Sequence, residues 1–120
     1  MTTTISRGDI FLLQDTGKTT GAEIQKTRPC VIIQNDIGNI HSKVTIVALI
    51  TSYKEGKKPY PTNVFVTARE TGLDNNSLVL CNQIQTVDKS RLLKKIGRMP
   101  DNKMKLVDMA LIRSLDLDYT

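Results

Sequence analysis

The side chain best placed to do chemistry in this sequence is Arg28, one residue before Pro29 and at the mouth of the run Cys30-Val31-Ile32-Ile33. Proline has no backbone N–H and pushes the residue before it out of the helical region into an extended one. The run behind it is apolar at every position, which reads as an inner strand covered on both faces. Arg28 is therefore a permanent cation at the rim of a rigid sheet, and its planar fork of donors suits a phosphate. A surface salt bridge would account for the same residue at this level. Four further polar groups stand at strand ends beside apolar runs: Thr51 and Ser52 after Val44 to Ile50, and Asn82 and Gln83 after Leu78 to Cys81. With Arg28 they could converge on a phosphate and on base edges, the amides supplying donors and acceptors. Each alone is also explained by edge hydrogen bonding.

Common catalytic patterns are missing. The sequence has no Gly-rich phosphate loop, no Ser-His-Asp order and no metal-binding helix motif. The single histidine, His41, follows Gly38-Asn39, where a solvated loop histidine is the plainer reading beside a general base. Asp9, Glu23, Glu55, Glu70 and Asp74 have no spacing that would pair them, although Glu23 lies just before Arg28. Cys30 and Cys81 both sit in apolar runs without a Cys or His at metal-ligand spacing. They read as buried free thiols of a reducing compartment, so neither zinc nor any other cofactor is expected.

These groups need a scaffold, and the chain is long enough for one: 120 residues, 39% hydrophobic and 24% charged, suit a single domain over residues 1–120. The net charge of +5 leans toward a polyanionic partner, most simply nucleic acid. Met1-Thr2-Thr3-Thr4 lacks the basic start and apolar core of a signal peptide, and no apolar run is long enough to span a membrane. A cytoplasmic protein without membrane contact is the expectation.

In chain order, Ile10 to Leu13 reads as a first strand, and Gln14 to Lys26 as a long polar loop that could gate the site. After the Arg28 strand, Gln34 to Asn39 carries turn chemistry. Strands follow at Val44 to Ile50, Asn63 to Val66 and Leu78 to Cys81, with a basic, proline-containing loop from Tyr53 to Pro61 and a turn from Asp74 to Ser77. Asp88 could cap a short helix carrying Leu92, Leu93 and Ile96 and ended by Gly97. Pro100-Asp101 opens a longer helix whose Met104, Val107, Leu111 and Leu115 fall on one stripe. Several short strands followed by terminal helices describe a mostly antiparallel β barrel with helical appendages. The residues by themselves lead to a basic β domain with an anion site at its rim.

A resemblance goes further. Arg7-Gly8-Asp9-Ile10, Arg28-Pro29, Ile33-Gln34-Asn35-Asp36-Ile37-Gly38-Asn39 and Val47-Ala48-Leu49-Ile50-Thr51 resemble, in order, the MazF/PemK toxins, in particular MazF of Gram-positive type. Asn82-Gln83-Ile84-Gln85-Thr86-Val87-Asp88-Lys89-Ser90-Arg91-Leu92 and Lys103-Met104-Lys105-Leu106-Val107-Asp108 continue the match, which runs from about Arg7 to Leu115. The resemblance implies a mostly β fold, an SH3-like barrel of the CcdB/MazF/PemK type with C-terminal helices, assembled as a homodimer. It implies an mRNA interferase: a toxin of a type II toxin–antitoxin module that cuts single-stranded mRNA at short sequences without a metal. The neighbouring ribose 2′-OH would attack, leaving a 2′,3′-cyclic phosphate and a 5′-hydroxyl. By the same resemblance Arg28 and Thr51 take the catalytic positions. Glu23, Lys26, Ser52, Ser77, Asn82 and Gln83 would contact RNA, with Lys54, Lys57 and Lys58 as further lysines of a basic groove. A MazE-like antitoxin with an acidic, partly disordered tail would compete for that groove. Ile24-Gln25-Lys26-Thr27 replaces the family's glycine-rich approach to the arginine, Asn82 a common glutamate and Gln85 a common arginine. These departures bear on the recognised sequence more than on the chemistry. Two other readings share the fold: a CcdB-like poison of DNA gyrase, which needs no catalytic arginine, and a non-catalytic RNA-binding barrel.

Overall fold

The apolar runs become strands of one antiparallel sheet. The computed structural model describes residues 4–15, 26–56 and 58–118. In chain order these form β1 Asp9–Asp15, β2 Lys26–Ile32, α1 Asp36–His41, β3 Val44–Ser52, β4 Asn63–Val66, α2 Ala68–Thr71, β5 Ser77–Asp88, a 3-10 turn Lys89–Arg91, β6 Leu92–Arg98 and α3 Asp101–Ser114. The six strands lie in the order β4-β5-β3-β2-β1-β6, every neighbouring pair antiparallel. The mostly β class with a closing helix is the one read from the sequence. None of the helices among the described residues is long and apolar enough to cross a membrane.

Two apolar clusters explain why the central strands lack a polar face. Ile10, Val31, Ala48, Val64, Val66 and Val79 meet Met104, Val107 and Ala110 of α3 in one cluster. On the opposite face of β1, β2 and β3, Phe11, Leu13, Cys30, Ile32, Val47 and Leu49 meet Val87 and Leu92. Successive residues of Cys30-Val31-Ile32 thus enter alternate clusters, as strand geometry requires. Burying each such aliphatic side chain contributes about 1.5–3 kcal/mol. Both cysteines are buried and free. Burial pushes the Cys30 thiol up to about 12, and burial followed by the Asp108 charge pushes Cys81 to about 11. Neither is a thiolate at neutral pH, so both act as small apolar groups.

The structure corrects three readings. Gln34 to Asn39 leads into a helix rather than a turn: Asn35 caps α1 by accepting the Gly38 N–H at 2.8 Å. Asn39 is buried in a full set of bonds, its Oδ1 accepting from Thr45 Oγ1 (2.7 Å) and Gln34 Nε2 (3.1 Å). Its Nδ2 donates to the Gln34 carbonyl at 3.0 Å and to Asp36 Oδ1 at 3.2 Å. Asn and Asp favour turns and helix caps for the same reason, so the signal was degenerate.

The second correction concerns Asp88 to Gly97. Asp88 does cap, accepting the Ser90 N–H at 2.8 Å, but only the 3-10 turn follows. From Leu92 the chain is a strand paired with β1 (Leu13↔Leu92, Leu12↔Lys94, Ile10↔Gly97). Leu92 and Ile96 are four apart, a spacing that shares a face in a helix and in a regular strand alike. Gly97 ends no helix; it lets β6 pass against the end of α2. The third correction is small: α3 packs Met104, Val107 and Leu111 on the core as expected and adds Ala110, but Leu115 caps the helix and stays exposed. Helix α2 was not anticipated, although Thr67-Ala68-Arg69-Glu70 is a capping-box sequence and both reciprocal bonds are formed.

Three carboxylates bind backbone N–H groups and are held below the usual carboxylate range. Asp36 accepts the Arg7 N–H (2.6 Å), Glu70 the Thr67 N–H (2.8 Å) and Asp88 the Ser90 N–H. A depressed folded-state pKa adds stability that is complete above the unfolded value, about 3.9 for Asp and 4.3 for Glu, and is lost as pH falls through the folded one. Thermal unfolding should therefore hold a constant Tm down to about pH 4.5 and lose it below, less steeply in Asp36→Asn. A Tm flat to about pH 3 would contradict these bonds.

Candidate active site

The ladder between β2 and β3 is short: Cys30↔Leu49, Val31↔Ala48 and Ile32↔Val47. It stops at Pro29, which has no N–H to give a ladder. Beyond that point β2 follows β1 (Leu12↔Pro29, Leu13↔Arg28) while β3 follows β5 (Thr51↔Leu78, Ser52↔Ser77). The diverging ends bound a cleft of about 610 Å³ lined by Arg28, Pro29, Thr51, Ser52 and Ser77. Arg28 and Thr51 each stand two residues beyond the last ladder pair, Cys30↔Leu49, on the face that carries those residues, and both line the cleft. Both side chains are exposed. A guanidinium and a hydroxyl so placed can hold one tetrahedral anion between them.

Arg28 also lines a smaller hollow of about 190 Å³ with Gln83, Gln85 and Arg91. An irregularity in β5 makes it. Adjacent residues Ala48 and Leu49 pair with Ile84 and Leu80, which leaves Cys81, Asn82 and Gln83 outside the β3 ladder. Cys81 turns into the core and donates its N–H to the Thr62 carbonyl at 3.0 Å. Gln83 is left beside Arg28. Arg91 is fixed by donating from Nε to the Gln14 carbonyl at 2.9 Å. One arginine thus stands between a hydroxyl-lined cleft and an amide-lined hollow.

Of the residues singled out from sequence, Arg28, Thr51, Ser52 and Ser77 come together in the cleft, with Gln83 next to it. Asn82 is exposed on the irregular segment and Lys26 at the start of β2, and neither lines the cleft or the hollow. Lys54 and Lys58 are exposed but are not among the cleft's lining residues. Glu23, Lys57 and most of the loop read as a gate lie outside the described residues. His41 closes α1 and faces a different hollow, with Asp88 and Lys89.

Arg7-Gly8-Asp9 is a clamp. Arg7 donates to the Ile33 carbonyl at 2.9 Å and pairs with Asp108 at 2.5 Å. The buried Asp9 carboxylate meets Arg98 at 3.0 Å and Lys95 at 3.3 Å and accepts the Ser6 N–H at 2.8 Å. Sequence reasoning missed Lys94, Lys95 and Asn75, which line the cleft. The lysines were hidden by the helical reading of their segment, and a register shift at Leu93 breaks the strand alternation that would have revealed it. Among the described residues no three His, Cys, Asp or Glu side chains lie together as metal ligands would. The cleft's charged lining is Arg28, Lys94 and Lys95 against Asp74, a net positive surface.

Known proteins resemble this chain over nearly its whole length. Endoribonuclease EndoA of Bacillus subtilis is 42% identical over 113 residues, spanning 94% of this chain and 96% of that one. The solved toxin MazF-mt6 of Mycobacterium tuberculosis aligns with a TM-score of 0.75 at 27% identity, over 92% of this chain and 99% of that chain. A MazE–MazF crystal structure from Deinococcus radiodurans aligns with a TM-score of 0.80 over 98% of this chain and 100% of its own; at 21% identity it speaks for the fold. Residues 6–115 match the family described as the PemK-like, MazF-like toxin of type II toxin-antitoxin systems. With nearly the whole chain inside that match, the protein belongs to the PemK-like, MazF-like family of type II toxins.

Proposed function

We propose that this protein is a sequence-specific endoribonuclease that cuts single-stranded mRNA, acting as the toxin of a type II toxin–antitoxin module. The observation that carries the reading is the convergence of Arg28 and Thr51 at the diverging ends of β2 and β3, inside a net positive cleft. The name of the Bacillus subtilis relative, an endoribonuclease, supports the same activity.

The reaction draws its nucleophile from the substrate. The 2′-OH of the nucleotide before the cut loses its proton and attacks the adjacent phosphorus. The P–O5′ bond breaks, and the leaving 5′-oxygen takes up a proton, so the ends are a 2′,3′-cyclic phosphate and a 5′-hydroxyl. Negative charge grows on the non-bridging oxygens and on the 5′-oxygen. Arg28 stabilises both, and Thr51 holds the phosphate by hydrogen bond. Arginine gives up a proton very reluctantly, so its role here is electrostatic. No metal is needed for these steps. Ser52, Ser77 and Gln83 lie where flanking nucleotides would pass; Glu23 is assigned an RNA contact from the family pattern, Lys26 by its charge and Asn82 by its amide. A homodimer, a MazE-like antitoxin with an acidic tail, and action in the cytoplasm complete the proposal.

The test is to incubate the purified protein with a long single-stranded RNA of mixed sequence in EDTA and map the ends. The expected result is cutting at one recurring short sequence with cyclic-phosphate and 5′-hydroxyl ends, and no cutting of DNA, which lacks the 2′-OH. Intact RNA, or cutting that appears only when a divalent metal is restored, would overturn it.

A further inference from the structure

The wall of the cleft opposite Thr51 is β6, and it carries two lysines in different states. Lys95 is taken up by the buried Asp9 carboxylate. Lys94 lines the same cleft, is exposed, and has no hydrogen bond or ion pair among the described residues. Its placement is fixed by register. Leu12 of β1 pairs with Pro29 on one side and with Lys94 on the other, so all three form one row across the sheet. Directly opposed residues share a face, and all three line the cleft. Two strand spacings put the Lys94 backbone about 10 Å from that of Pro29; Lys94 stands on the Pro29 face of the sheet and Arg28 on the other, and the cleft at the strand ends is lined by both. A lysine stem reaches well into that gap and ends in a compact charge that needs no fixed partner geometry.

We propose that Lys94 anchors the phosphate next to the scissile one, so that RNA leaves Arg28 across β6 rather than over the basic loop that carries Lys54 and Lys58. This rests on the ribonuclease reading of the cleft. It also explains why a free cation is kept beside one already neutralised: a single unpaired ammonium takes one backbone phosphate without reading a base. The anchor would then add affinity uniformly across sequences and leave base choice to Gln83, Gln85 and their neighbours.

The probe is an RNA oligonucleotide carrying the mapped cleavage sequence with a 2′-deoxy nucleotide at the cut, so that it binds and is not cleaved. Binding to the full chain is followed by fluorescence anisotropy over a salt series. Lys94→Gln should weaken binding about fivefold at low salt and flatten the dependence of log Kd on log salt by about 0.7, the share of one single-strand phosphate contact. Lys94→Arg should restore the slope, while Lys54→Gln and Lys58→Gln should leave it unchanged. With cleavable RNA, the Lys94→Gln loss should fall mainly on KM. An unchanged slope in Lys94→Gln, or flattening by Lys54→Gln or Lys58→Gln instead, would overturn the assignment while leaving the nuclease reading intact. Failure of the unsubstituted protein to bind the probe at any salt would overturn both.

Discussion

Replacing Arg28 with alanine should lower the single-turnover rate of RNA cleavage by roughly 10²–10³-fold, the loss usual for one donor aimed at a developing oxyanion. The fold should survive, because Arg28 is exposed at the rim and its backbone pairing with Leu13 does not involve the side chain. Unchanged circular dichroism and Tm would separate lost chemistry from lost structure. Arg28→Lys should recover only part of the rate: the charge returns, but the planar fork that can hold two phosphate oxygens does not. Thr51→Val keeps the β-branched shape at the end of β3 and removes the hydroxyl, so a loss of about tenfold is expected, the equivalent of about 1.4 kcal/mol for one hydrogen bond to a charged oxygen. Cleavage by Arg28→Ala within about threefold of the unsubstituted protein would remove Arg28 from the chemistry and with it the central step of the proposed reaction.

The strands were legible because each central one is apolar throughout, and two clusters sandwiching β1, β2 and β3 are what such a run requires. Arg28 at a rim was legible for the same reason, since Pro29 fixes where the β2–β3 ladder stops. What could not be read was which strand ends face one another. Thr51 is 23 positions away in the chain, and only the antiparallel register of β2 and β3 brings it to the same cleft as Arg28; the family resemblance supplied the pairing before the geometry did. β6 was misread where local signals pointed elsewhere: Asp88 does cap a turn, and Leu92 and Ile96 have helical spacing, although the register shifts of β6 send them to different clusters. That single error hid Lys94 and Lys95, which line the cleft where Lys54 and Lys58 do not. The irregular segment Cys81-Asn82-Gln83 was likewise invisible, because one buried and two polar residues in sequence look like the fraying end of a strand. Sequence pattern put Arg28 at a strand rim; tertiary register decided what surrounds it.

The largest stability effect should come from a position with no role in the chemistry. A Cβ at Gly97 would lie 2.1 Å from the Thr71 carbonyl oxygen, far inside any tolerated contact, and the obstacle is backbone rather than a side chain that could swing away. Gly97→Ala should therefore cost about 3 kcal/mol and lower Tm by roughly 10–15 °C, at the upper end of overpacking effects. The contact is a seam between the two outer strands of the sheet: α2 follows β4 directly, and its last residue abuts β6. Gly72, one residue on, has φ +87, and a Cβ there would meet the Ile96 carbonyl oxygen at 3.0 Å, so backbone lies close to backbone at both glycines. Relief must come by moving α2 away from β6. Gly72, Leu73 and Ile96 line the cleft that holds Arg28 and Thr51, so the same movement widens it. Gly97→Ala should accordingly lose RNA cleavage even at temperatures where it remains folded, and with Arg28 and Thr51 intact. Gly56→Ala is the control: its φ is +90 but nothing lies within 4 Å, so only backbone strain of about 1 kcal/mol is expected, with cleavage unaffected. A Gly97→Ala protein whose Tm falls no further than that of Gly56→Ala would show that α2 and β6 part without cost, and that the seam does not set the width of the cleft.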